Sequence, residues 1–113
     1  MPRNFIDAVQ GTLELLVLQT LVQGELHGYA IARWIAERSS EELRVEEGTL
    51  YPALHRMEER GWIAAKWGVS ELGRRAKFYR LTAAGRKELR ERAESWDRAT
   101  KAVQAVMKAG RHG

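Results

Sequence analysis

The sequence predicts a mainly α chain with one small β-hairpin, an α+β fold. Three observations carry this. Apolar residues recur at helical spacing in three short segments before Gly61 and in one long segment after Thr82. Between them the period changes: Trp62 to Trp67 and Ala76 to Leu81 are short runs of strand-favouring residues around a turn with two glycines. With 113 residues, the chain is long enough to bury one core without cross-links.

The first helix is expected over Gln10 to Val22. Leu13, Leu15, Leu16, Val17, Leu18, Leu21 and Val22 fall on nearly every side, so the helix is buried on more than one face. A chain this small could hardly cover that surface alone, so Leu13 and Leu16 are expected to meet a partner chain. Gly24 marks the end, and Glu25-Leu26-His27 reads as a tight link. The second helix runs from Gly28 to Arg38, with Ile31, Trp34 and Ile35 inward and Tyr29, Arg33 and Glu37 outward. The polar tip of Tyr29 suits a phosphate or plain solvent equally well. Ser39 to Leu43 is loop-like, and Leu43 and Val45 around Arg44 suggest a very short strand.

Val45 to Gly61, VEEGTLYPALHRMEERG, carries the third helix. Glu46, Glu47, Gly48 and Thr49 supply acidic residues and a possible N-cap. Pro52 suits a first turn, where its missing amide would be unpaired anyway. Leu50, Ala53, Leu54 and Met57 form a core face, and Gly61 stops the helix. The other face carries Thr49, Tyr51, His55 and Arg56. Read alone, this is an ordinary amphipathic helix. Its neighbours turn that polar face into a groove reader.

The hairpin that follows has Arg74, Arg75 and, nearby, Lys77 at its tip, a wing suited to a sugar–phosphate backbone. The second and third helices before it form a helix-turn-helix with a longer linker than the tightest versions. Thr82 caps the last helix, which extends to about Met107. Leu89, Ala93, Trp96, Ala99 or Thr100, Val103 and Met107 form its stripe, with Glu88–Arg92 and Glu94–Arg98 pairs on the exposed side. A domain complete at Leu81 gives this helix nothing of its own to pack on, so pairing with a second chain is expected. The expected organisation is a winged helix-turn-helix over residues 1–81, a dimerisation helix over 82–109, and a frayed tail over 110–113.

Charge supports this division. Residues 1–65 carry six basic and ten acidic side chains, whereas residues 66–92 carry nine basic and three acidic. The basic excess is local and follows the third helix directly, as a polyanion footprint requires. There are no cysteines, and the three histidines form no close pair, so no metal and no cofactor is expected. No segment reads as a signal peptide or membrane span, which implies a cytoplasmic protein. No phosphate-cradling loop, dinucleotide turn or nucleophile elbow is present, and the adjacent glutamate doublets diverge on a helix. His55 has no evident orienting partner. These features argue against an enzyme.

Double-stranded DNA is the partner this pattern fits. A helix fits the major groove, and Arg56 and His55 can donate to a base edge or a phosphate. Thr49 and Tyr51 can bond backbone oxygens near the helix start. The candidate DNA-contacting set is Tyr29, Thr49, Leu50, Tyr51, His55, Arg56, Arg74, Arg75 and Lys77. Glu46 and Glu47 work against pure phosphate binding. A protein-interaction module on the same scaffold is the alternative, supported by the acidic flank Glu41 to Glu47 and the apolar last helix.

The strings GTLELLVLQTLVQGELHGYAIARWI, EEGTLYPALHRMEERGWI and GRRAKFYRLTAAGR resemble the PadR family of bacterial transcriptional regulators. The resemblance is close from Gly11 to Arg86 and less specific beyond. It is to the short subgroup with a single C-terminal helix. It implies a homodimer that binds an operator and usually represses, with the first and last helices forming most of the dimer contact. The expected dimer residues are Leu13, Leu16, Leu89, Ala93, Trp96, Val103 and Met107. In some short members the dimer centre is a pocket for flat hydrophobic effectors, lined by a tryptophan of the last helix. AESWDRATK places Trp96 there, either as that residue or as plain dimer packing.

Overall fold

The computed structural model describes residues 11–110. Helix α1 (Thr12–Thr20) continues as a 3-10 turn, Leu21–Gln23, and ends at Gly24. Gln10, the expected first residue of this helix, lies outside the described residues. Leu13, Val17, Leu18 and Leu21 are buried by the rest of the same chain. Leu13 is thus covered without a partner, whereas Leu16, also expected at the dimer contact, packs against this core and is only partly buried. Thr20 is buried at no polar cost because its hydroxyl donates to the Leu16 carbonyl at 2.7 Å.

The link after Gly24 is a strand. β1 (Leu26–His27) pairs antiparallel with β3, placing Leu26 opposite Tyr79 and His27 opposite Phe78. The strand expected around Arg44 does not form. Residues 43–46 are irregular, and Leu43 and Val45 simply cover the core. Helix α2 (Gly28–Arg38) starts on His27, whose Nδ1 accepts from the Ala30 amide at 3.1 Å. Its buried residues include Ile31 and Ile35, with Trp34 half-buried.

Helix α3 (Glu47–Glu59) buries Leu50, Ala53, Leu54 and Met57, the face its period predicts. Its start differs from expectation. Glu46 is the N-cap and makes no side-chain capping bond, so Thr49 is inside the helix. Pro52 is the sixth helical residue, one turn later than expected. Its missing amide falls opposite the carbonyl of exposed Gly48, which water can reach. The helix stops as predicted: Gly61 N–H donates to Glu58 O (3.0 Å) and Trp62 N–H to Met57 O (3.1 Å), the paired bonds of a glycine stop.

Strands β2 (Ile63–Val69) and β3 (Arg75–Leu81) form the hairpin, in register from Ile63 opposite Leu81 to Val69 opposite Arg75. The sheet order is β1-β3-β2. Ser70 N–H donates to Arg74 O at 2.8 Å and closes the tip. Thr82 caps helix α4 (Ala83–Gly110): its hydroxyl accepts from the Gly85 amide at 3.0 Å and donates to the Gly61 carbonyl. Gly85 is pressed against the Trp62 carbonyl so closely that no Cβ fits there. This seats the first turn of α4 on the end of α3.

The first half of α4 does find packing within its own chain. Leu89 lies against the core, and Arg92 Nη1 meets Glu14 Oε1 of α1 at 2.9 Å. Leu89, expected at the dimer contact, is therefore half-buried by its own chain. The Glu88–Arg92 pair forms at 2.7 Å, whereas Arg98 meets Ser95 Oγ at 3.4 Å rather than Glu94. Beyond Thr100 every described residue of α4 is exposed. A 28-residue helix is about 42 Å long at about 1.5 Å per residue, and the molecule measures 57 × 32 × 21 Å. Of the expected tail, Gly110 is helical, and residues 111–113 lie outside the described residues.

Candidate nucleic-acid interface

A groove of about 1010 Å³ runs between the start of α2, the helix α3 and the hairpin. Tyr29, Tyr51, Arg74, Arg75 and Lys77 all line it. Five of the nine candidate contacts, drawn from three separated segments, thus share one open surface. Gly28 makes the geometry possible. A Cβ there would stand 2.8 Å from the Tyr51 ring and hydroxyl, so only glycine lets Tyr51 lie across the start of α2. Burial of the ring, with the Glu47 carboxylate second, pushes the Tyr51 phenol above the ordinary tyrosine value. It stays a neutral donor.

The basic residues are not equivalent. Lys77 Nζ already bonds Glu58 Oε1 at 3.2 Å. The Arg75 guanidinium lies over the Trp67 ring, 4.4 Å from its centre, which presets its direction. Arg74 is exposed at the tip with no ion pair among the described residues. The tip itself is pinned. His27 Nδ1 is used as an acceptor, so Nε2 carries the proton and donates to Glu71 Oε1 at 3.1 Å. This bond is the main cause holding the Glu71 carboxyl below the usual carboxylate range.

The other four candidates lie elsewhere. Leu50 is 1% exposed, so its side chain belongs to the core and cannot reach DNA. Thr49 and His55 are exposed on α3 outside the groove. His55 does have a partner, Glu59 Oε2 at 3.3 Å one turn on, contrary to expectation. Arg56 is half-exposed and leans toward α1, with Nε 3.9 Å from Glu14 Oε2.

Three features of the groove escaped the sequence reading. Trp67, expected only as a strand former, is exposed beside Arg75. His27, expected as part of a link, holds both the α2 start and the wing. Leu72 is exposed at the tip. Alternation along β2 was the signal for Trp67, which lies two residues beyond Ala65 on the same face.

A second cavity, about 520 Å³, lies between α1 and α4 and is lined by Trp96 with Thr12, Leu15, Glu88 and Arg92 among others. On α4, Ala93 before Trp96 and Val103, Val106 and Met107 beyond it are exposed. Among the described residues no cluster of metal ligands occurs, and no helix is long and apolar enough to cross a membrane.

Comparison with known proteins adds the family. Residues 17–91 match the model of the transcriptional regulator PadR-like family. A transcriptional regulator of Mycobacterium tuberculosis is 36% identical over 83 residues, covering 73% of this chain and 73% of its own length. The negative transcriptional regulator PadR of Bacillus subtilis is 28% identical over 79 residues, 70% of this chain and 43% of its own. A solved transcriptional regulator from Clostridium thermocellum superposes with a TM-score of 0.79 at 30% identity, covering 88% of this chain and 96% of the other. A PadR family regulator from Clostridium difficile gives 0.74 at 31%, covering 86% and 99%.

Proposed function

The chain belongs to the PadR-like family of transcriptional regulators, and on that premise we propose that it binds double-stranded DNA as a homodimer and represses transcription. One observation carries the proposal: Tyr29, Tyr51, Arg74, Arg75 and Lys77 converge on one groove beside an exposed helix face. Helix α3 enters the major groove, with Thr49, His55 and Arg56 toward base edges or flanking phosphates. Tyr29 and Tyr51 donate hydroxyls to backbone oxygens. The wing supplies most of the affinity by releasing counterions. In this reading residues 1–81 are the DNA-binding unit and residues 82–109 the dimerisation helix.

The exposed stripe of Ala93, Trp96, Val103 and Met107 supports the dimer, because a second copy would bury it. The cavity beside Trp96 supports an effector site for a flat hydrophobic molecule that releases the DNA. Selection of bound duplexes from a random pool tests the core of the proposal. An inverted repeat should emerge, with half-sites about 34 Å apart. Recovery of no consensus, with binding no tighter than to random duplex, would favour the protein-interaction module instead.

A further inference from the structure

Arg56 and Arg92 both approach one largely buried carboxylate. Glu14, on α1, has a side chain only 13% exposed. Its Oε1 holds Arg92 of α4 at 2.9 Å, and its Oε2 faces Arg56 of α3 at 3.9 Å. One arginine is held tightly and the other loosely. The Arg92 geometry explains the difference. Its Nε bonds Glu88 at 2.7 Å and its guanidinium lies 4.9 Å from the centre of the Trp62 ring, so it arrives at Glu14 already oriented. Arg56 has no other ion-pair partner among the described residues, and its side chain is 53% exposed.

A buried carboxylate needs a compensating charge. While Arg92 supplies most of it, Arg56 is held only at 3.9 Å and can swing outward. Without Arg92, Arg56 is the other cation within reach, and Glu14 would draw it in. We propose that Glu14 is a tether for Arg56, and that Arg92 holds the tether open so that Arg56 can meet DNA. This rests on α3 being the DNA-reading helix. Glu14 and Arg92 are thus positioning residues that act through Arg56. Glu88 and Arg92 also line the cavity beside Trp96, so the tether physically joins that cavity to the reading helix.

The test is a set of affinities for one selected duplex, with thermal melting of each variant alongside. Arg92→Met keeps the stem on Trp62 but removes the charge. It should weaken binding about three- to tenfold, toward the lower end of the roughly two- to 150-fold span of coupled neighbours. Glu14→Gln should bind at least as tightly as wild type. In the Glu14→Gln background, and separately in the Arg56→Ala background, Arg92→Met should lose most of its effect. Arg92→Lys, which keeps a charge near Glu14, should recover part of the affinity. A structural or long-range charge role for Arg92 predicts the same loss in every background, and that result overturns the tether. So does weaker binding by Glu14→Gln with an unchanged melting temperature. Should Arg92→Met fail to fold, the Glu14→Gln and Arg92→Lys affinities still decide. Failure of the wild type to bind any duplex overturns the DNA-reading proposal itself, and the tether with it.

Discussion

Tyr51 joins sequence to site most directly at the level of single residues. Its position on the polar side of α3 follows from the helical period, but its reach across α2 depends on the bare backbone of Gly28. Tyr51→Phe should weaken DNA binding by about 1 kcal/mol per half-site, the net worth of one hydrogen bond. Gly28→Ala should weaken it similarly by displacing the ring. It should not lower the melting temperature, because alanine favours a helix over glycine by up to about 1 kcal/mol. Equilibrium titration with melting curves checks both; unchanged affinity in both variants would remove Tyr51 from the contact. The raised phenol also fixes a pH dependence. The unfolded tyrosine ionises first as pH rises past about 10, so the stability from Tyr51 and Tyr79 is intact below that and falls as pH climbs toward their raised folded values. Other residues were legible only in part. The Leu50 position on the predicted apolar face already argued against a DNA contact. The His55–Glu59 pair was visible as a spacing of four. The Glu14–Arg56 approach was not, because it joins segments far apart in the chain.

The hairpin is the element on which most of the proposed affinity rests. Its two strands were legible from the change of period after Gly61, and its charge from composition. β1 was not, since two residues carry no period; only pairing with Tyr79 and Phe78 makes them a strand. The third helix was placed closely, but its first turn was misread because acidic residues and Thr49 resemble a cap without forming one. Arg74→Ala with Arg75→Ala should reduce the salt dependence of binding by up to about 2 in the log–log slope, roughly 0.9 per lost phosphate contact. Specific and random duplexes should lose affinity alike. Lys77→Ala should change the slope less, because Glu58 already neutralises part of that charge. An unchanged slope in the double variant would take the wing off the backbone.

Across the whole molecule, the last helix divides the account. Its first half packs on the core through Leu89, expected at a partner contact, and reaches Glu14 of α1 through Arg92, expected only to pair with Glu88. A stripe at helical spacing does not say which surface covers it, so the packing of Leu89 on its own core was not legible in the sequence. Its second half leaves Val103, Val106 and Met107 exposed, and a second copy is the proposed cover. Sedimentation of the wild type at micromolar concentration, alone and with a selected duplex, tests this central claim most directly. The proposal predicts a mass of two chains in both samples, with both half-sites protected on the duplex. A single chain in solution and a single chain on the duplex would contradict it.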